Sequence, residues 1–182
     1  DYTLSLDVKG AVGATDPIDI LLIVDESSSM NKARRENVNN AISTLVKELK
    51  KTEAKDNIQL AVIGFSGQKG DGKNNDATVR RSWTALNSFE AYTTTVNKYG
   101  GTNWQAGIRK GEEILAARTT DRSNANTYVV FLTDGNPTFY YDSWGNTQGY
   151  GSQYDETGYN NAVNEWQSSS YMLSAVKYVV DA

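Results

Sequence analysis

Apolar residues in this chain gather into short blocks whose spacing changes from one block to the next. Residues 2–9 alternate Tyr2, Leu4, Leu6 and Val8 with Thr3, Ser5, Asp7 and Lys9, the period of a half-exposed strand. Gly10 to Pro17 is turn-rich. Ile18 to Val24 is nearly all apolar, as in a strand covered on both faces of a parallel sheet. Val38, Ala41, Ile42, Leu45, Val46 and Leu49 then fall on one helical stripe, with Lys47, Glu48 and Lys50 outside it.

A second buried strand is predicted over Ile58 to Phe65, and an alternating strand suited to a sheet edge over Thr78 to Leu86. The Gly-, Lys- and Asp-rich stretch Ser66 to Asp76 joins them as a hairpin loop. Gly107, Gly111, Ile114 and Leu115 share one helical face, so that helix is expected to lie very close to the sheet. Tyr128 to Leu132 reads as another central strand, running into Thr133-Asp134-Gly135. From Asn136 to Ser170 the pattern dissolves into Gly, Asn, Gln and Ser with many aromatics, and Met172 to Val180 returns to helical spacing.

This order predicts an α/β fold, an open, mostly parallel, Rossmann-like sheet with helices on both faces. Residues 1–16 read as a strand and linker from a preceding domain, and 17–182 as the domain proper, with 136–170 an aromatic-rich insertion. Both ends fall within regular elements, which suggests a piece of a longer chain.

At 182 residues the chain accommodates one domain with a sizeable core. A net charge of −4 and a pI near 4.9 disfavour a nucleic-acid surface. The basic run Lys32-Ala33-Arg34-Arg35 is expected to be a solvated helix start. No run reaches the roughly 18 apolar residues of a membrane span, so no membrane contact is expected from this fragment.

Cysteine and histidine are absent. That excludes cysteine nucleophiles, Ser-His-Asp triads and the ordinary zinc and copper sites. A bound metal would be a hard cation held by oxygen, Mg²⁺ or else Mn²⁺ or Ca²⁺. The stretch Gly67 to Asn74 approaches a phosphate-binding loop but carries Asn74 where a hydroxyl belongs and joins two strands instead of opening a helix.

Oxygen ligands are present in three places. Asp25, Ser27 and Ser29 follow the apolar run Ile20 to Val24, and positions two apart on extended backbone face the same way. Thr102 lies in Gly100-Gly101-Thr102-Asn103, and Asp134 follows the strand ending at Leu132. In open α/β sheets such strand ends are where ligands gather. The competing reading is local: Asp25 and Ser27 capping the helix near Lys32, and Asp134 closing a turn.

Taken together and in this chain order, Asp25-Glu26-Ser27-Ser28-Ser29, Thr102 and Thr133-Asp134-Gly135 resemble the metal-ion-dependent adhesion site of von Willebrand factor type A domains. The resemblance covers about residues 18–182. It implies that Ser27, Ser29 and Thr102 offer hydroxyl ligands while Asp25 and Asp134 bind directly or through water, and that the cation takes one more oxygen from an acidic side chain of a partner. Glu26 departs from the family pattern, and is expected to point to solvent or to add charge near the cation. A complete domain of this family would add strands after Leu132, so the sheet is expected to be incomplete at its C-terminal edge.

The aromatic insertion, with the Asn-, Tyr- and Lys-rich composition, is similar to that of Gram-positive pilus-tip adhesins. That likeness implies an extracellular location on the cell wall or pilus tip, covalent pilus or cell-wall linkage through the rest of the protein, and a host or extracellular-matrix protein as partner. Tyr140, Tyr141 and Trp144 are then candidate walls of the ligand groove, and Lys9 a candidate for an intramolecular isopeptide bond. Two alternatives remain: an intracellular assembly module, and a metal-assisted hydrolase in which Glu26 is the one nearby base.

Overall fold

The computed structural model describes residues 16–68, 75–96, 100–135 and 137–149. The expected strand over residues 2–9, Lys9 with it, the helix at Met172 to Val180 and most of the 136–170 insertion lie outside the described residues. So do residues 69–74 of the Gly67 to Asn74 loop.

The elements, in chain order, are β1 (Ile18–Asp25), α1 (Lys32–Leu49), β2 (Ile58–Phe65), β3 (Ala77–Ala85), α2 (Trp104–Ala116), β4 (Asn126–Leu132), and a small hairpin of β5 (Phe139–Tyr141) and β6 (Thr147–Gly149), with three short 3₁₀ turns between them. The described sheet has four strands in the order β3-β2-β1-β4. β1 runs parallel to both β2 and β4, and β3 pairs antiparallel with β2 through an irregular register. The mixed, mostly parallel Rossmann-like sheet expected from the sequence is therefore present.

Every residue of β1 is buried, which is why it reads as an unbroken apolar run. Its alternate side chains sort into two layers. Ile18, Ile20, Leu22 and Val24 join Ile42 and Leu49 of α1, while Leu21 and Ile23 join Ala106 of α2. Each fully buried aliphatic side chain contributes about 1.5–3 kcal/mol, and the central strand supplies such groups to both faces at once.

α2 lies on the sheet at its glycines. A Cβ added at Gly107 would fall 2.9 Å from Ile23 Cγ2 and 3.0 Å from Phe65 Cδ1, and one at Gly111 3.2 Å from Leu21 Cδ2. At the opposite end of β1 from the candidate site, buried Asp19 accepts from Arg118 at 3.1 Å and from Arg122 Nε at 3.1 Å. Arg122 also donates to the Ile18 and Asn57 carbonyls. The charge buried in the strand is thus held by two guanidinium groups.

α1 begins at Lys32, where the basic run placed a helix start, and Asn31 caps it by accepting from the Arg34 N–H at 3.0 Å. Two expectations need correction. β4 is not central among the described strands. It ends the four-strand order, and Val129 on it is 49 % exposed. The featureless reading after Asn136 missed β5 and β6, whose three residues each are too few to show a period. Asp142 closes that hairpin, accepting from the Trp144 and Asn146 N–H groups at 2.9 Å. The Tyr141 N–H donates to Gln105 Oε1 at 2.9 Å, so the hairpin lies along α2.

Candidate metal centre

The parallel pairing of β1 with β4 matches Val24 to Leu132, so the two chains leave the sheet side by side. Asp25 ends β1, and the turn after it carries Ser27 and Ser29. Thr133 and Asp134 follow β4 directly. The local geometry brings these groups together in a chain of short polar contacts. The Ser27 N–H donates to Asp25 Oδ1 at 2.8 Å, the Ser27 and Ser29 hydroxyls lie 2.8 Å apart, and the Ser29 hydroxyl donates to Asp134 Oδ1 at 2.8 Å. The Thr133 hydroxyl donates to Asp25 Oδ2 at 2.7 Å.

The local capping alternative fails for these residues. Asn31 caps α1, so Asp25 and Ser27 do not, and the Asp134 carboxylate takes a hydroxyl from 105 residues away.

Asp25 is fully buried. Burial pushes its carboxyl from 3.8 up to about 6. Hydrogen bonds from Ser27 and Thr133 counter part of that rise, and the neighbouring charge of Asp134 adds to it.

Thr102 reaches this end of the sheet on a third loop. The Ser28 N–H donates to the Gly100 carbonyl at 2.8 Å, tying that loop to the Asp25 turn, and Gly101 N–H donates to the Gly67 carbonyl at 2.6 Å. Glycine is required at 101, since a Cβ there would lie 2.2 Å from the Phe139 ring. Thr102 is buried. Its N–H donates to the Thr138 hydroxyl at 2.9 Å, and its carbonyl accepts from the Thr138 and Phe139 N–H groups at 2.8 and 3.0 Å.

This donor set suits a hard cation. Mg²⁺ holds oxygens octahedrally at about 2.0–2.1 Å, which puts neighbouring ligand oxygens about 3 Å apart. The 2.8 Å steps from Ser27 to Ser29 and from Ser29 to Asp134 lie close to that spacing. Among the described residues no three His, Cys, Asp or Glu side chains gather as a metal site, so a cation here would rest on two carboxylates with hydroxyls. Two negative charges match a divalent ion and leave it electrophilic.

Glu26 neither faces solvent nor faces the oxygen cluster. It is 3 % exposed, with both carboxylate oxygens 3.1 Å from Arg80 Nε and with Tyr92 Oη at 3.3 Å. Beside it, Gly64 makes the room: a Cβ there would lie 2.3 Å from Glu26 Cδ. The alternation that turns Asp25 and Ser27 one way turns Glu26 the other, and β3 supplies the cation. The aromatic candidates also separate. Tyr141 is buried, its hydroxyl accepts from the Asp76 N–H at 2.9 Å, and its ring meets Arg109 in a groove along α2; Tyr140 is half-buried, and Trp144 is 73 % exposed.

Sequence reasoning missed Arg34. Its guanidinium pairs with Asp134 Oδ2 and donates to the Ser29 carbonyl at 3.1 Å. The basic run is thus more than a solvated helix start. First-turn side chains of a helix lean back toward its N-terminus, and this N-terminus abuts the Ser29 turn.

The profile described as von Willebrand factor type A domain matches residues 19–180. No curated protein matches the chain. Among solved structures, the pilus adhesin SpaC from Lactobacillus rhamnosus GG is similar at 24 % identity and a TM-score of 0.55, over 78 % of this chain and 19 % of its own. The PilB minor pilin from Streptococcus sanguinis is similar at 18 % identity and a TM-score of 0.57, over 85 % of this chain and 46 % of its own. The adhesive tip pilin GBS104 from Group B Streptococcus agalactiae is similar at 16 % identity and a TM-score of 0.51, over 84 % of this chain and 53 % of its own. At these identities the likeness is one of fold, and the chain spans between a fifth and about half of the length of these proteins.

Proposed function

The chain belongs to the von Willebrand factor type A domain family, and on that premise we propose that it is a cell-surface adhesion domain. A divalent cation, Mg²⁺ or else Mn²⁺ or Ca²⁺, is held by Asp25, Ser27, Ser29, Thr102 and Asp134. The partner is a host or extracellular-matrix protein that offers an acidic side chain to the cation. The observation that carries this reading is the Ser27–Ser29–Asp134 relay, which joins two loops at the carboxyl end of the sheet at the spacing a hard cation asks of its ligands. That the similar structures are a pilus adhesin, a minor pilin and an adhesive tip pilin supports an extracellular setting on a Gram-positive surface, with pilus or cell-wall linkage through other parts of the protein.

The domain binds and does not catalyse. Glu26, which metal-assisted hydrolysis would have used as its base, is committed to Arg80. The test is calorimetric titration of Mg²⁺, Mn²⁺ and Ca²⁺ into the domain and into Asp25→Ala, followed by matrix-protein binding with and without chelator. Cation binding lost in Asp25→Ala, with adhesion lost in chelator, is the expected result. Adhesion indifferent to both would overturn it.

A further inference from the structure

We propose that Asp76 is a positioning residue for the Thr102 side of the centre, and that the β5–β6 hairpin is a fixed buttress of that loop. The inference rests on the cation reading above only for its functional consequence.

Asp76 immediately precedes β3, and Ala77 pairs with Phe65. Its carboxylate therefore lies at the same end of the sheet as Asp25, one strand beyond β2. It is 4 % exposed. Oδ2 accepts from Asn103 Nδ2 at 2.7 Å and from the Thr147 hydroxyl at 2.7 Å, and Oδ1 accepts from the Gln68 N–H at 3.2 Å. Its backbone N–H donates to the Tyr141 hydroxyl, and its carbonyl accepts from the Ser66 N–H at 2.8 Å. A buried carboxylate is tolerated when donors converge on it, and such charge-assisted bonds are the strong ones.

These contacts close a ring. Asp76 holds Asn103, the residue after Thr102. Asn103 is itself fully buried, donates its N–H to the Ser66 carbonyl at 3.2 Å and caps α2 through Ala106 at 3.1 Å. Thr102 bonds on its other side to Thr138 and Phe139, which lead into β5; Tyr141 and Thr147 then return to Asp76. Moving Thr102 relative to the sheet requires breaking this ring, and its one charged member touches both the loop and both hairpin strands.

The test uses the 182-residue chain with Asp76→Asn, which keeps the shape and turns two of the donors toward an amide. In chelator, amide exchange at Thr102, Asn103 and Thr147 is expected to quicken at least tenfold, and Mg²⁺ affinity to fall about tenfold. Ile42→Ala, in the other core layer, serves as a variant of comparable destabilisation and is expected to leave affinity and those amides unchanged. Thr147→Val, a milder cut of the same ring, is expected to move both readouts in the same direction by less, and answers the question if Asp76→Asn does not fold. Unchanged exchange at Thr102 in a folded ring variant would overturn the proposal, as would an equal affinity loss in Ile42→Ala. A wild-type chain that binds no cation would sink the cation reading instead, and the exchange data would still decide the role of Asp76.

Discussion

The hydroxyl of Ser29 donates to Asp134 Oδ1 at 2.8 Å across 105 residues of sequence. With the Thr133 hydroxyl on Asp25, that contact joins the turn after β1 to the turn after β4, and the parallel register of the two strands makes it possible. Ser29→Ala removes both the hydroxyl ligand and one of the two holds on Asp134, leaving Arg34. We expect Mg²⁺ affinity to fall at least tenfold, by calorimetry, with global stability changed by only about 1 kcal/mol in urea melts.

Asp25 should weaken the cation-free domain at neutral pH. Its folded pKa of about 6 lies above the ordinary 3.8, so the protonated carboxyl favours the fold below pH 4 and this contribution is lost as pH rises through 6. The rise amounts to about 3 kcal/mol at pH 7. In chelator, Asp25→Asn should therefore be more stable than wild type at pH 7.5, and the difference should shrink toward pH 4. With Mg²⁺ present wild type should recover, and its affinity for the ion should drop as pH falls through 6. Urea melts across pH, with and without Mg²⁺, check both signs.

Breaking the Glu26–Arg80 pair tests the inward setting of Glu26. Arg80→Met leaves a buried carboxylate with the Tyr92 hydroxyl as its remaining described donor, and removal of one partner of such a pair costs about 3 kcal/mol. Glu26→Gln keeps hydrogen bonding to Arg80 and should cost less. Thermal melts of the two variants in the presence of Mg²⁺ give the order; a more stable Arg80→Met would contradict the buried setting.

Within the hairpin, two aromatic residues should respond in opposite ways. Trp144→Ala should leave stability within about 0.5 kcal/mol of wild type, as exposed positions do, and lower partner binding. Tyr141→Phe should cost about 1–2 kcal/mol, because the buried Asp76 N–H loses its acceptor. Denaturation and surface-binding assays on the same two proteins separate anchor from strut.

Much of this was legible before any coordinates. Continuous burial of β1 wrote itself as an apolar run, the close contact of α2 as Gly107 and Gly111, and the meeting of the turns after β1 and β4 as the oxygen side chains Asp25, Ser27, Ser29 and Asp134. What escaped depends on partners distant in sequence. Glu26 looked solvated because nothing near it in the chain announces Arg80 on another strand. Arg34 looked like a charged helix surface because its contact with Asp134 depends on where β4 ends. β5 and β6 escaped for a different cause: three residues cannot establish a period, and their hairpin is held by Asp142 and by α2.

In the proposed adhesive role, the placement of Asp25 at the end of β1 has a mechanical meaning. A pull on a bound partner directed along β1 would load the most central described strand, whose neighbours β2 and β4 are both parallel and registered with it from Ile18 onward. Load of that direction shears two ladders together, so many bonds must fail at once, whereas a pull across the strands would open them one at a time. The strand that gives the cation site its first carboxylate would also be the part of the fold best placed to resist being drawn out by it.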